Sequence, residues 1–427
     1  MWTNYKLSQI CTITSSKRIF ASEYVESGVP FWRGQEIQEM KNGNTQIRER
    51  LYISEEKYYE LKKMYGVPSE GDILLSSVGT LGTPYQVKKN DKFYFKDGNL
   101  TWFKNFKQIS NSTFLYYWMQ SKYFIVQIKN NKIGAVQSAL TIDFLNNYVI
   151  YLPDRTEQDR IAAFLSLIDS KIENNNRIIT ELESLAKLIY DYWFVQFDFP
   201  NNNDKPYKSS GGKMIWNEKL KREIPEGLVV LPLPKCCDII DCLHSKKPDR
   251  MFEDEKYYLL QLENLVDMGI VDLSNKYYVK KEVYKLWTSR IEVKHGDLVV
   301  TNAGRVGSIA RIPGNVVAGI GRNITAIRPL KVPPVYLYYF FNSSDIRGQI
   351  KVNTDSGSFF GSLNVKGIKE LVITTPDEQC YDVLSKFEEI ASPMREQIES
   401  TAQENFKLTR LRDWLLPMLM NGQVTIK

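Results

Sequence analysis

The chain has 427 residues, 43% of them hydrophobic and 12% aromatic, with a formal net charge of +6. It is too long for one ordinary core and too apolar for wholesale disorder, so two packed domains with connectors are expected. The mild positive charge suits a polyanionic partner but is shared by many ordinary enzymes.

The opening Met1-Trp2-Thr3-Asn4-Tyr5-Lys6 has no apolar run of a signal peptide, and no later stretch approaches a membrane span. The five cysteines, Cys11, Cys236, Cys237, Cys242 and Cys380, are odd in number and lack CxxC spacing. They read as reduced thiols, and the chain as a soluble cytoplasmic protein with no membrane partner. Residues 1–152 form a first α+β domain. Ile73-Leu74-Leu75 and Val149-Ile150-Tyr151-Leu152 read as strands, and Phe114 to Met119 as a helix with Ser112 or Thr113 near its start.

Residues 153–198 are different. Ile161, Leu165, Ile168, Ile172, Asn175, Ile179, Leu182, Ala186, Ile189 and Trp193 step by fours and threes with no Pro or Gly between. That is an a/d seam containing one polar residue. A helix packed on its own domain also gives an apolar stripe; the evenness of the stepping favours a helix–helix seam.

Residues 199–227 turn polar, with Pro200-Asn201-Asn202-Asn203-Asp204-Lys205-Pro206 and Ser209-Ser210-Gly211-Gly212, and read as a linker. Residues 228–376 then repeat the first domain. Gly71-Asp72-Ile73-Leu74 returns as Gly296-Asp297-Leu298-Val299, Asn99-Leu100-Thr101 as Asn323-Ile324-Thr325, and Leu115-Tyr116-Tyr117 as Leu337-Tyr338-Tyr339. Leu140 matches Leu363, Pro153 matches Pro376, and Glu157-Gln158 matches Glu378-Gln379. The matches keep their order, and their offsets stay between 221 and 225 residues. Residues 377–427 carry a second seam through Leu384, Phe387, Ala391, Met394, Ile398, Thr401, Asn405 and Leu408, with Pro393 expected to kink it or restart it after Ser392.

The predicted fold is therefore mixed α+β: two similar domains joined by two long antiparallel coiled-coil helices, with an internal pseudo-two-fold. A helix of about 33 residues makes a rod of roughly 50 Å. With the midpoints aligned, Asn175 falls opposite Thr401 as a polar register pin, and Asn175→Leu is expected to raise stability while loosening register. Such a molecule suits a two-part partner, and duplex DNA offers a major-groove site about every 34 Å.

Catalytic motifs are missing. There is no GxxxxGK[ST] loop and no Asn-Pro-Pro-aromatic or Asp-Pro-Pro-aromatic string, and Gly319-Ile320-Gly321 reads as a turn. His244 and His295 are the only histidines, which leaves no His-rich metal site. Glu292-Val293-Lys294 fits half of a nuclease acid-x-Lys element, and equally a solvent-facing strand.

The layout of domain, Pro-x-x-x-Glu-Gln helix, domain and second helix resembles the specificity (S) subunit of Type I restriction-modification systems. The resemblance rests also on Trp193-Phe194-Val195-Gln196-Phe197-Asp198-Phe199 at the end of the central helix, and on Tyr207-Lys208-Ser209-Ser210-Gly211-Gly212-Lys213-Met214 with Ile224-Pro225-Glu226-Gly227. Leu411-Arg412-Asp413-Trp414-Leu415-Leu416-Pro417 through Asn421-Gly422-Gln423 completes it. One departure is Leu228, where the family commonly has Trp. The resemblance implies two target-recognition domains, each reading one half of a bipartite duplex site. It implies a non-catalytic subunit that carries two modification (M) subunits and restriction (R) subunits, with S-adenosylmethionine, ATP and Mg in those partners and no cofactor or metal here.

Base edges are specified by residues such as Arg, Lys, Asn and Gln. The expected readers in the first domain are Ser16, Lys17 and Arg18 of a polar loop, Arg33 and Gln35 beside Phe31 and Trp32, and Thr80. In the second they are His244, Ser245, Lys246 and Lys247 as the equivalent early loop, Asn302 and Arg305 between flexible glycines, and Arg322. Asn99 and Asn323 recur in both copies and read as scaffold hydrogen bonds. Tyr190, Trp193, Phe194, Trp414 and Leu415 cap the helix pair or anchor the M subunits. Other readings are a related combined methylase–nuclease specificity subunit, a stand-alone nuclease using Glu292 and Lys294, and a protein-only adaptor.

Overall fold

A computed structural model describes residues 2–41, 50–130, 140–252, 256–354, 362–377 and 382–426. The chain forms two compact units, Met1–Lys171 with Thr409–Lys427, and Ile172–Leu408. Among the described residues no helix is long and apolar enough to cross a membrane.

In the first unit, β1 (Thr3–Lys6) pairs with β10 (Val149–Leu152). A four-stranded sheet has the order β2 (Thr12–Thr14), β9 (Leu100–Lys104), β6 (Ile73–Ser76), β7 (Pro84–Gln86). A second sheet has the order β3 (Tyr24–Val25), β5 (Leu51–Ile53), β4 (Val29–Trp32), β8 (Tyr94–Phe95), with β4 and β8 parallel. The helix Ser112–Met119 is capped by Asn111, whose Oδ1 accepts the Phe114 N–H at 2.9 Å, one residue before the expected start.

The second unit repeats this plan. β13 (Leu228–Pro232) pairs with β23 (Val372–Pro376), and a sheet runs β14 (Cys237–Asp241), β22 (Ile324–Pro329), β19 (Leu298–Thr301), β20 (Ile309–Arg311). A third set runs β18 (Tyr277–Tyr278), β15 (Tyr258–Leu260), β21 (Gly319–Ile320), with one antiparallel and one parallel pairing where the first unit's four-stranded counterpart has two antiparallel and one parallel. Even the register is kept: Ile73 pairs with Phe103 and Ser76 with Leu100, as Leu298 pairs with Ile327 and Thr301 with Ile324. The repeated Gly-Asp is a turn in both copies. Gly71 and Gly296 each have φ +86°, where a side chain is strained. The following Asp accepts from the N–H three residues back, Ser69 or Lys294, each at 3.0 Å.

The polar stretch after Phe199 is more than a loop. β11 (Met214–Asn217) and β12 (Arg222–Pro225) form a hairpin, and Ile224 is buried in the second unit's core.

The central helix spans Arg155–Tyr190 and ends in a widened turn, Asp191–Val195. All ten predicted seam positions are buried or half-buried. The C-terminal helix, Asp382–Met420, is continuous through Pro393 and Pro417, so it does not restart after Ser392. Both prolines are exposed, so the carbonyls they leave unpaired remain in reach of water. Within the second unit Asn175 meets Asn405, and Glu183 meets Arg395 at 3.2 Å; rising numbers on one helix face falling numbers on the other, so the pair is antiparallel there. Asn175 thus sits one turn beyond Thr401: its amide donates to Asn405 Oδ1 at 2.9 Å and Glu404 Oε2 at 2.7 Å.

Each domain is fastened to its helix segments by the repeated tyrosines. In the first unit Tyr117 donates to Asp169 at 2.7 Å, and Arg412 completes the triad at 2.8 Å. In the second unit Tyr339 donates to Glu183 at 3.0 Å, beside Arg395. Burial is the largest influence on both phenols and raises their pKa values, so they stay protonated donors.

Candidate nucleic-acid interface

One repeated element with an exposed tip is the turn that joins β6 to β7 in the first unit and β19 to β20 in the second, a central strand to an edge strand in each sheet. In the first unit Ser76 closes it: its carbonyl accepts the Gly82 N–H at 2.8 Å, and its hydroxyl accepts the Thr83 N–H at 2.8 Å and donates to the Thr80 carbonyl. In the second unit Thr301 does the same with Gly307 at 2.9 Å, Ser308 at 3.1 Å and the Arg305 carbonyl.

Below each turn one side-chain pair bridges the strands, Ser77 with Thr101 at 2.6 Å and Asn302 with Thr325 at 2.9 Å. The backbone N–H of Ser77 reaches the Asn99 carbonyl at 2.8 Å, and that of Asn302 reaches the Asn323 carbonyl at 2.9 Å. Leu140 and Leu363, the matched leucines, donate to the carbonyls of Ser77 and Asn302 at 3.1 and 3.0 Å.

The glycines divide the labour. A Cβ on Gly79 or Gly304 would meet nothing within 4 Å, so these tips are open to close approach. Gly82 and Gly307 instead lie against Ile128 and Ile350. Two backbones of one design therefore present different chemistry at the same place, Thr80 in one copy and Arg305 in the other.

Several predicted readers gather in the first unit. Arg33, Gln35 and Thr80 line one open cleft, together with Gln38 and Asn99, which the sequence reading did not assign as readers. Gln38 lies one turn after Gln35 on the helix Gly34–Lys41, a spacing that offered a signal. Arg33 donates to the buried Glu36 at 2.6 Å, and Gln35 to Glu39 at 3.0 Å. Ser16 is half-buried and its hydroxyl donates to the Phe95 carbonyl at 2.8 Å, a loop fastening rather than a free reader. Lys17 is exposed with Nζ 5.5 Å from the Tyr65 ring, and Arg18 pairs with Asp97 at 2.8 Å.

In the second unit Asn302 is half-buried and its side chain bonds the Thr325 hydroxyl. Arg305 pairs with the exposed Asp267 at 2.6 Å and also donates to the Leu265 carbonyl. Arg322 is exposed beside Asn323, whose φ is +63°. Strand pairing sets the early loops in register: Thr14 faces Trp102 as Ile240 faces Ala326. Arg18 therefore corresponds to His244, and Ser245, Lys246 and Lys247 lie beyond the matched stretch. All three are exposed, and Lys247 sits 4.5 Å from the Tyr277 ring.

The aromatic end of the central helix is core. Tyr190, Trp193 and Phe194 are at most 8% exposed and pack on Phe387, with Tyr190 and Phe194 also against Tyr336. Their own domain covers them, which is the helix-capping arrangement among the two expected for these residues. Leu415 is half-buried against the first unit's core, whereas Trp414 is 64% exposed. Leu167 and Leu411 in the first unit, and Leu185 and Leu188 in the second, are further exposed apolar helix residues that the seam reading passed over.

Glu292 accepts the Tyr284 hydroxyl at 2.8 Å, and it belongs to no cluster of metal-ligating groups among the described residues. Cys11, Cys236, Cys237 and Cys242 are buried free thiols; Cys380 and the Glu378-Gln379 pair lie outside the described residues.

Comparison with known proteins agrees with this architecture. Residues 1–184 match the model of the Type I restriction modification DNA specificity domain. The chain is 24% identical over 324 residues to the Type I restriction enzyme MjaIX specificity subunit of Methanocaldococcus jannaschii, covering 74% of this chain and 70% of that one. It is 23% identical over 414 residues to the Type I restriction enzyme HindI specificity subunit of Haemophilus influenzae, covering 83% and 87%. The crystal structure of a Type I restriction-modification S subunit from M. genitalium shares the fold, with a TM-score of 0.64 at 16% identity over 98% of this chain and 96% of that one. The matched model spans the first domain and most of its helix, and the second half repeats the strand order and register of the first domain's β2-β9-β6-β7 sheet. Over most of its length the chain is thus similar to Type I restriction-modification specificity subunits.

Proposed function

We propose that this chain supplies DNA-sequence specificity to a Type I restriction-modification complex, each domain reading one half of a bipartite duplex site. The observation that carries the reading is the pair of identically built turns with unlike tips. A shared scaffold keeps the approach to the duplex constant, while Thr80 and Arg305 make the two readings different. The cleft of Arg33, Gln35, Gln38 and Asn99 adds polar groups of the kind that pair with base edges. Lys17, Lys246, Lys247 and Arg322 are exposed cations suited to phosphate contacts.

In this reading the chain performs no chemistry. Modification subunits bring S-adenosylmethionine, and restriction subunits bring ATP and Mg. The exposed Trp414, Leu167, Leu185 and Leu188 on the long helices give those partners apolar anchors, which an isolated coiled-coil surface does not need. The test is base-resolution methylation mapping of cells with and without the chain, alongside its cognate subunits. A two-part adenine-methylated motif that appears only with the chain supports the proposal; an unchanged methylation pattern overturns it.

A further inference from the structure

Among the described residues, the second domain carries a donor cluster that the first lacks. At the end of β14, one oxygen, sulfur or nitrogen atom from each of Asp241, Cys242 and His244 lies within 4.8 Å of the others. Strand register puts Ser15, Ser16 and Arg18 at the matching positions of the first domain, a set with no comparable ligands. The first domain's loop is instead tied down by the Arg18–Asp97 ion pair and by Ser16 on Phe95.

One further observation points to a ligand. Asp241 Oδ1 is buried with no hydrogen-bond partner; the carboxylate's neighbours are His244 and the weakly donating Cys242 thiol, so that oxygen carries a cost of about 1–3 kcal/mol unless something fills it. The surrounding backbone is also fixed in place. Asp241 is held in the ladder opposite Thr325, Arg290 donates to the Cys242 carbonyl at 2.9 Å, and the Ser245 N–H turns back to the Leu243 carbonyl at 3.0 Å. That turn brings His244 Nε2 to 2.6 Å from Asp241 Oδ2.

We propose that Asp241, Cys242 and His244 bind a borderline-soft divalent cation of the Zn²⁺ type. Thiolate and imidazole select such an ion over Mg²⁺ or Ca²⁺, which take all-oxygen shells. Bonds of about 2.0–2.3 Å put tetrahedral ligand atoms roughly 3.3–3.8 Å apart, so the widest donor pair closes by about 1 Å while His244 Nε2 and Asp241 Oδ2, now at 2.6 Å, move apart to admit the ion. On binding, the Cys242 thiol releases its proton to solvent and the sulfur donates a lone pair to the metal. The imidazole nitrogen leaves Asp241 Oδ2 for the ion, and the carboxylate becomes the third ligand. Three protein ligands leave a fourth position for water or a phosphate oxygen. The ion ties the exposed His244 to Cys242, which is part of the domain core. It thereby does for this loop what Arg18–Asp97 does for the other. That loop's part in DNA reading rests on the function proposed above; the metal site does not.

The test is titration of the chelator-stripped full chain with Co²⁺ as a spectroscopic probe, followed by competition with Zn²⁺. The expected result is one Co²⁺ per chain with thiolate-to-cobalt charge-transfer absorption, displaced by Zn²⁺. His244→Asn, at an exposed position that leaves the core intact, and Asp241→Asn weaken binding more than the roughly 10- to 100-fold cost of losing an outer partner. Cys242→Ser abolishes the charge-transfer band. A chain that takes up no Co²⁺, or whose stoichiometry and band are unchanged in His244→Asn, overturns the site. No DNA enters the assay, so its failure leaves the DNA-reading proposal untouched.

Discussion

Arg311, at the end of β20, and Glu399, on the C-terminal helix, form a two-pronged ion pair with both contacts at 2.9 Å. Their side chains are only 2% and 5% exposed. Arg395 joins the pair at 3.0 Å through Nε and reaches Glu183 at 3.2 Å, so two arginines and two glutamates lock the second domain to its helix segments. Removing one partner leaves a buried charge unpaired, which typically costs about 3–5 kcal/mol. Glu399→Leu is expected to lose that much in urea unfolding. The double variant Arg311→Met/Glu399→Leu should regain part of it, because Arg395 keeps Glu183.

The Asn175–Asn405 contact reverses an expectation drawn from pattern alone. Asn175→Leu was expected to stabilise, as removing a polar seam residue often does. Here Asn405 Oδ1 would lose its donor while its amide stays committed to Asn176 at 2.8 Å. The single variant should therefore be less stable by about 1–3 kcal/mol. Asn175→Leu/Asn405→Leu should recover that loss and loosen register, visible as mixed inter-helix crosslinks from paired cysteine probes.

Glu388 provides a pH prediction. Burial raises its carboxyl pKa above the ordinary value, partly offset by the N–H groups of Val335 and Tyr336. An acid with a raised folded-state pKa favours the fold when protonated. Its stabilising increment is full below the unfolded pKa and disappears as pH rises through the raised value. Melting temperature across mildly acidic pH should show this fall in the parent chain and a flatter profile in Glu388→Gln.

Arg305→Ala separates specificity from general affinity. If Arg305 leaves Asp267 to meet a base, the variant should lose about 1–3 kcal/mol of discrimination at one position of one half-site. Its unfolding curve should match the parent's. Arg322→Ala should weaken binding to all sequences alike and lower the salt slope by about one unit. Competition binding of the assembled complex at several salt concentrations distinguishes the two.

Much of the repeat was legible because it encodes backbone geometry. Gly71 and Gly296 are needed at φ +86°, Asp72 and Asp297 close the turns, and Tyr117 and Tyr339 reach helix carboxylates. Gln158 fell in the same class: its side chain bonds the Pro153 and Ile109 carbonyls and the Asn111 N–H. The second helix register was less readable because Arg395 and Glu399 are buried one residue past the seam positions Met394 and Ile398, where a heptad pattern expects polar residues facing water. For Tyr190, Trp193 and Phe194 helix caps and surface anchors could not be told apart, because a sequence reports apolarity and not what covers it. The hydrogen bonds of Asn302 and Ser16 were not readable because they go to residues distant in sequence, Thr325 and Phe95.

The most direct measurement is a domain exchange. Residues 1–152 are replaced by the corresponding domain of another specificity subunit, and methylated adenines are mapped at base resolution in cells carrying the matching modification subunits. The account predicts that one half of the methylated motif changes and the other half stays as it was. Alteration of both halves, or a motif unmoved by the exchange, would contradict it.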